Sequence, residues 1–295
     1  GGVTGERITA AGERVELIVF DLDGTLLSRA SEISPYTRDT LAQLTERGVA
    51  YTVATGRTLH AARDILAGHG FALPHIYKNG VMIWAPEDNG YSHTNCLTQD
   101  EIQHVLEAVL TQRLTPFIFT LEPGNRHAIY HPPVQNDIEV RLAREFAARE
   151  GVEVLPAAEL PAAADISNIS ALGRPAAIDA IADMVADEPG LVAYSGIAIE
   201  GGDLKWLDIH HAQASKGGAI SILKEELGVE RVLCFGDSDN DLSMFALADE
   251  SYAPENAKPQ VKQAATAVIG HHDEDGIARF LRERFALPPF TGASG

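Results

Sequence analysis

The stretch VELIVFDLDGTLL, residues 15–27, opens as an apolar run and closes on two aspartates one residue apart. VELIVF (15–20) shows no polar alternation, which predicts a short strand buried on both faces, as in a parallel sheet. Asp21 and Asp23 then stand where that strand ends, where repulsion and desolvation both oppose a pair of like charges. In an extended segment residues two apart share a side, so both carboxylates can face one ligand.

Outward from this stretch the chain alternates. SPYTRDTLAQLTERG (34–48) predicts a helix with Ser34 as cap and Gly48 as stop; AYTVAT (50–55) predicts a second strand. RTLHAARDILAGHG (57–70) reads as a second helix and PHIYKN (74–79) as a third strand, a rhythm that implies a parallel sheet. Near residue 84 the texture changes to turn-rich WAPEDNG, then to helices near 98–112 and 136–149 around the strand-like segments PFIFTLE and HAIYH. DISNISAL (165–172), a helix after Arg174, LVAYSG (191–196) and DLKWLDI (203–209) continue the mixed pattern. Simple βα alternation returns with helix 216–228, strand RVLCFG (231–236), helix 240–248 and a last amphipathic helix near 275–286. The expected fold is α/β: a Rossmann-like, doubly wound parallel-sheet core of residues 13–83 and 210–290, with an α+β domain of residues 84–209 inserted into it.

Composition limits the function classes. With a formal net charge of −19 and no cluster of Lys and Arg, the chain is not expected to bind nucleic acid. Cys96 and Cys234 lie far apart without metal-ligand spacing and read as free thiols of a reducing compartment. The opening residues GGVTGERITAAGERVE contain no apolar signal core, and no run of about 18 apolar residues occurs, so a cytoplasmic protein without membrane contact is expected.

Four polar clusters fall at or beside the carboxyl edge of the expected sheet, where open α/β sheets bind ligands: Asp21 with Asp23, Thr55 with Gly56, Lys216, and GDSDND (236–241). Singly each has a plain reading, as a turn, a helix cap, a solvated lysine or an acidic loop. GDSDND also resembles the opening of an EF-hand, but its sixth and twelfth positions are Leu242 and Ala248 rather than Gly and Glu. Together, Asp21, Asp23, Asp237 and Asp241 offer hard oxygen ligands that suit Mg²⁺, which would answer the repulsion between the acids. One carboxylate could then attack phosphorus while a neighbour handles a proton, with Thr55, the Gly56 amide and Lys216 as donors to the phosphoryl oxygens.

In this order, DLDGTLL, TVATGR, SKG and GDSDND resemble motifs I to IV of the haloacid dehalogenase-like hydrolases. The insertion between the second and third motifs resembles the cap of their Cof-type phosphatases, and YAPENAKPQVKQAATAVIGHHDEDGIARFL (252–281) resembles that group's closing segment. The resemblance implies a Mg²⁺-dependent phosphatase that hydrolyses a phosphate monoester of a small metabolite, a sugar phosphate or similar, through an aspartyl-phosphate. It implies Asp21 as nucleophile and metal ligand, and Asp23 as general acid/base whose backbone carbonyl also reaches the metal. Leu22, through its backbone NH, Thr55, Gly56, Lys216 and Asn240 would bind the phosphate. Asp237 would ligate Mg²⁺ directly, with Asp241 acting through water or orienting Lys216. Asn79 would face the substrate, while Pro254 and Glu255 depart from the small residue the group has before Asn256. In the cap, Arg126, His127, His131, Glu200, Asp203 and Trp206 are candidates for substrate contact, each set against an ordinary surface or packing role. His210 and His211 are adjacent on a strand and so point to opposite faces. A phosphomutase of the same superfamily and a non-catalytic phospho-ligand-binding protein are the competing readings; the oligomeric state is not legible.

Overall fold

The computed structural model describes residues 15–198 and 203–292; Glu200 and the first two residues of the expected core lie outside that range. The apolar run forms β1 (Glu16–Phe20), an inner strand of a five-stranded parallel sheet. On one side lies β2 (Ala50–Val53), with Phe20 in register with Val53. On the other lie β12 (Arg231–Phe235), β13 (Glu250–Pro254) and β14 (Ala267–Ile269), with Phe20 opposite Phe235. Strand order therefore reverses at β1, and the carboxyl ends of β1 and β12 lie side by side at the switch point. Leu17, Val19, Val232 and Cys234 pack one face of the sheet against Ile220 and Leu223 of α6 (Lys216–Leu227) and Met244 of α7 (Leu242–Leu247). Phe20 and Phe235 meet at 5.4 Å and continue to Tyr51, Tyr252 and Phe280. Each such side chain contributes about 1.5–3 kcal/mol on full burial.

Local sequence sets the helix ends. In α1 (Pro35–Glu46) the Ser34 side chain accepts from the Thr37 amide, and Pro35 occupies a first-turn position where its missing N–H costs nothing. Thr58 caps α2 (Leu59–Leu66) in the same way, so that helix is shorter than 57–70, and Gly68 and Gly70 follow it at positive φ. Ser215 caps α6 through the Gly218 amide. α8 (Pro259–Ala264) and α9 (Gly276–Arg284) close the unit.

β3 (His75–Tyr77) joins the parallel sheet through one bridge, Ala54 with Ile76, and pairs antiparallel with β4 (Met82–Ala85), which β5 (Gly90–Thr94) extends to a three-stranded sheet. Dense packing divides the chain into one unit up to His93 together with Ser215 onward, and a second of Thr94–Ala214. The expected junction after residue 83 falls inside the β3–β4–β5 sheet, whose ladder holds residues 84–93 to the first unit.

The second unit has a six-stranded sheet in the order β10-β11-β9-β6-β7-β8: β6 (Phe117–Glu122), β7 (Arg126–His131), β8 (Val152–Pro156), β9 (Asp165–Gly173), β10 (Leu191–Ile197) and β11 (Lys205–His211). One face is apolar, where Ile118, Ala128, Ile169, Leu207 and Ile209 pack on α3 (Gln99–Thr111) and α5 (Pro175–Ala186). On the other, Phe117, Phe119 and Ile129 pack on Phe146 of α4 (Asp137–Ala147). Among the described residues no helix is long and apolar enough to cross a membrane.

Candidate active site

Directly after β1 the chain makes a tight turn in which Leu27 N donates to Leu22 O at 3.0 Å. Gly24 sits at φ 73° with its backbone against the second acidic loop, since a Cβ there would lie 2.2 Å from Asp237 Oδ2. Thr25 Oγ1 donates to Asp237 Oδ1 at 3.0 Å, tying the end of β1 to the end of β12. Asn256 Nδ2 donates to Gly24 O at 2.8 Å, and Asn256 Oδ1 accepts from His272 N at 3.0 Å. The Pro254-Glu255 departure therefore leaves Asn256 beside the turn, as a brace between it and the closing segment.

Asp21 is 6% exposed, and its Oδ1 accepts from Leu22 N at 2.8 Å and lies 3.1 Å from Lys216 Nζ. The Leu22 amide, expected to face phosphate, is thus spent on the Asp21 carboxylate. Lys216 is fully buried and also donates to Asp241 Oδ1 at 2.7 Å. Asp241 Oδ2 accepts from the amides of Asp237 at 2.9 Å and Ser238 at 3.1 Å, so both its oxygens are engaged in holding the loop and the lysine. Oxygens of Asp21, Asp237 and Asp241 lie within 4.8 Å of one another. Burial first, then the Asp241 charge, pushes the Asp21 carboxyl well above the usual range and raises Asp237 in the same sense. Burial works against the Lys216 ammonium, but Asp21 and Asp241 outweigh it and hold its pKa above the ordinary lysine value. Three carboxylates against one ammonium leave an excess negative charge that a divalent cation would neutralise, and an all-oxygen donor set suits a hard ion of the Mg²⁺ type.

Thr55 follows β2, is 1% exposed, and accepts at Oγ1 from Arg57 N at 3.0 Å. Gly56 is exposed beside Asn79, whose Oδ1 accepts from Asn240 Nδ2 at 2.8 Å. Asn79 itself sits at φ 57°, a left-handed conformation that asparagine tolerates better than most residues. Asn240 Oδ1 is a buried acceptor with no partner among the described residues.

Asp23 stands apart from the group of three. Its carboxylate takes a two-pronged pair from Arg57, Nε to Oδ2 at 2.7 Å and Nη2 to Oδ1 at 2.7 Å, and its side chain is 53% exposed. Hydrogen bonding to Asp23 holds the Arg57 guanidinium above its ordinary value. Arg57 and Thr25 are neighbours of the site that the motifs contained but that residue-type reasoning left without a role. The signal was their position, one inside TGR and one inside DGT.

In the second unit, Arg126 pairs with Glu122 at 2.9 Å, His127 is buried, and His131 Nδ1 contacts Pro132 O at 2.7 Å. Asp203 is exposed, Trp206 is partly so, and His210 is fully buried. Cys96 and Cys234 are free thiols.

A family model described as haloacid dehalogenase-like hydrolase matches residues 18–281. The 5-amino-6-(5-phospho-D-ribitylamino)uracil phosphatase YwtE of Bacillus subtilis is 26% identical, over 90% of this chain and 97% of its own. Phosphatase YwpJ of the same organism is 28% identical, over 91% and 99%. Among solved structures, a haloacid dehalogenase-like hydrolase of B. subtilis superposes with a TM-score of 0.73 at 24% identity, covering 90% of this chain and 98% of that one.

Proposed function

Because the chain belongs to the haloacid dehalogenase-like hydrolases, we propose that it is a Mg²⁺-dependent phosphatase of small phosphorylated metabolites with Asp21 as its nucleophile. The observation that carries this reading is the group of Asp21, Asp237 and Asp241 oxygens within 4.8 Å, built around the buried Lys216. That relatives include a phosphatase of a phosphorylated ribityl compound supports a small metabolite as substrate.

Asp21, Asp237 and the Asp23 backbone carbonyl would hold the ion, with Asp241 keeping Lys216 and the loop in place. When bound, Mg²⁺ supplies positive charge that lets an anionic ester approach a carboxylate. Leu22 N and Lys216 fix Asp21 Oδ1, leaving Oδ2 to attack phosphorus. Attack forms the Asp21–phosphorus bond and breaks the bond from phosphorus to the ester oxygen, which takes a proton from Asp23. Asp23 must first turn from Arg57. It then accepts a proton from the water that attacks the aspartyl-phosphate, which releases inorganic phosphate and restores the Asp21 carboxylate. Thr55, the Gly56 amide, Asn240 and Lys216 hold the phosphoryl oxygens throughout.

The test is phosphate release from a panel of phosphorylated metabolites with Mg²⁺, using Asp21→Asn as the blank. Turnover confined to the unsubstituted protein is expected. Equal release by the variant would sink the assignment, and transfer of the phosphoryl group back to organic product without phosphate release would mark a mutase instead.

A further inference from the structure

Within the first unit, α2, β3 and β4 line a cavity of about 490 Å³, inside the span of roughly 300–1,000 Å³ that small-molecule sites occupy. Its wall is aromatic, formed by Phe71, His75, Tyr77 and Trp84. Residues two apart on a strand share a side, so His75 and Tyr77 of β3 face the same way, and His75 is in register with Trp84 of β4. His75 Nε2 lies 2.9 Å from Phe71 O, which can only accept, so that nitrogen carries the proton and Nδ1 accepts from the Tyr77 hydroxyl at 2.8 Å. Burial lowers the His75 pKa, which keeps the imidazole neutral at pH 7. The Phe71 and Tyr77 rings cross the imidazole at 88° and 83°, so the wall is fixed before any ligand arrives.

One charge lines this cavity, the Arg63 guanidinium of α2, and no acidic side chain does, although the chain carries 42 Asp and Glu against 23 Lys and Arg. Arg63 is exposed, and among the described residues no carboxylate pairs with it. Burial pushes the Tyr77 and Tyr91 phenols up, Tyr91 to about 12, and the Arg63 charge opposes the rise in both, which places the guanidinium near the aromatic wall. Its position in the last turn of α2 also suits the helix dipole, a role that asks nothing of the cavity. A guanidinium fork beside flat rings matches a carboxylate carried on an aromatic ring: the fork takes both oxygens and the wall takes the ring. A single cation in a chain at −19 balances a monoanion but not a dianion, which favours carboxylate over a phosphate ester.

We propose that the cavity between α2, β3 and β4 is a second ligand site, which binds a planar aromatic carboxylate with its ring against Phe71, Tyr77 and Trp84 and its carboxylate on Arg63. None of the residues that line it belongs to the acidic group at Asp21, so the proposal stands apart from the phosphatase reading. Because the wall is already held by its own hydrogen bonds and ring contacts, little side-chain ordering opposes binding.

The probe is 4-nitrobenzoate, a flat monoanion whose nitro group quenches tryptophan emission, titrated into the full chain carrying Trp206→Phe. Trp84 is then the only tryptophan, since the chain has two. Saturable quenching of Trp84 is expected, with a Kd matched by calorimetry. Arg63→Gln in that background should weaken binding about tenfold, as should replacing the probe by the neutral 4-nitrobenzamide, the loss of one charge-assisted contact. Ala67 lines the cavity from an exposed position, so Ala67→Trp can fill the space without entering the core and should abolish saturation. Quenching that rises linearly without saturating overturns the proposal. So does an affinity within about twofold for the acid and the amide, or for the Arg63→Gln protein, which would leave Arg63 to the helix end alone. If Arg63→Gln fails to fold, the comparison of acid with amide on the Trp206→Phe protein decides the matter.

Discussion

Asp21 is buried among two further carboxylates and a single ammonium, and its chemistry follows from that imbalance. Without a cation, burial and Asp241 favour its protonated, non-nucleophilic form; with one, the charged form is favoured. Asp23 has the opposite setting, exposed and paired with Arg57, so a role in proton transfer would require a change of partner. Asp23→Asn is expected to slow turnover by about 10²–10⁴ with a poor leaving group, and less with p-nitrophenyl phosphate, whose leaving group needs no proton. An equal loss on both esters would remove Asp23 from the acid role. Arg57→Ala should alter the rate with the poor leaving group more than with p-nitrophenyl phosphate, and should shift its pH profile. A uniform loss with an unmoved profile would make Arg57 merely structural.

At the level of elements, the turn between β1 and α1 decides whether the site assembles. Gly24 lets the chain pass against Asp237, Thr25 bonds that carboxylate, and Asn256 and His272 brace the turn from the closing segment. Gly24→Ala adds the cost of a left-handed alanine, about 1–2 kcal/mol, and a methyl group in the place of Asp237 Oδ2. The expected result is a lower Tm together with loss of any Mg²⁺-dependent rise in Tm. Retention of that rise would show that Asp237 does not need its present position. Ser34 serves two elements, capping α1 and donating to Asp275 Oδ1 at 2.5 Å. Its substitution by Ala is expected to cost about 1 kcal/mol or more, read by chemical denaturation.

For the whole molecule, ion binding and pH give separate handles. A ligand that binds only the folded state at about 100 times its Kd stabilises by about 2.7 kcal/mol. Mg²⁺ should therefore raise Tm by several degrees, and Asp237→Asn should abolish most of the rise; an unchanged rise would place the ion elsewhere. At the amino end of β13, Glu250 joins Arg284 of α9 and Arg231 of β12, each with an Nη2–Oε2 distance of 2.8 Å. Hydrogen bonds from Arg284 lead the causes that hold its pKa down to about 2. Since the folded value is depressed, its stabilisation is complete above the unfolded value of 4.5 and is lost as pH falls toward about 2. The Tm difference between the unsubstituted protein and Glu250→Gln should shrink across that window. A constant difference from neutral pH down to 2 would show that Glu250 acts through packing.

The parallel core and the positions of Asp21, Thr55, Lys216 and Asp237 along it are legible in short stretches of the chain. Unbroken apolar runs, helix caps such as Ser34 and Ser215, and the strand-end position of polar residues are short-range signals, and a sheet whose order reverses at β1 sets the ends of β1 and β12 side by side. Which partners those residues take is set by long-range packing. Nothing in the spacing of Asp23 and Arg57, of Thr25 and Asp237, or of Asp208 and Asn168 specifies a hydrogen bond. The adjacency of β4 and β5 is likewise hidden in a turn-rich segment, and β8 in a parallel pairing with β7. Those contacts depend on which strand ends and sheet faces meet, and that is set by packing among segments distant in the chain.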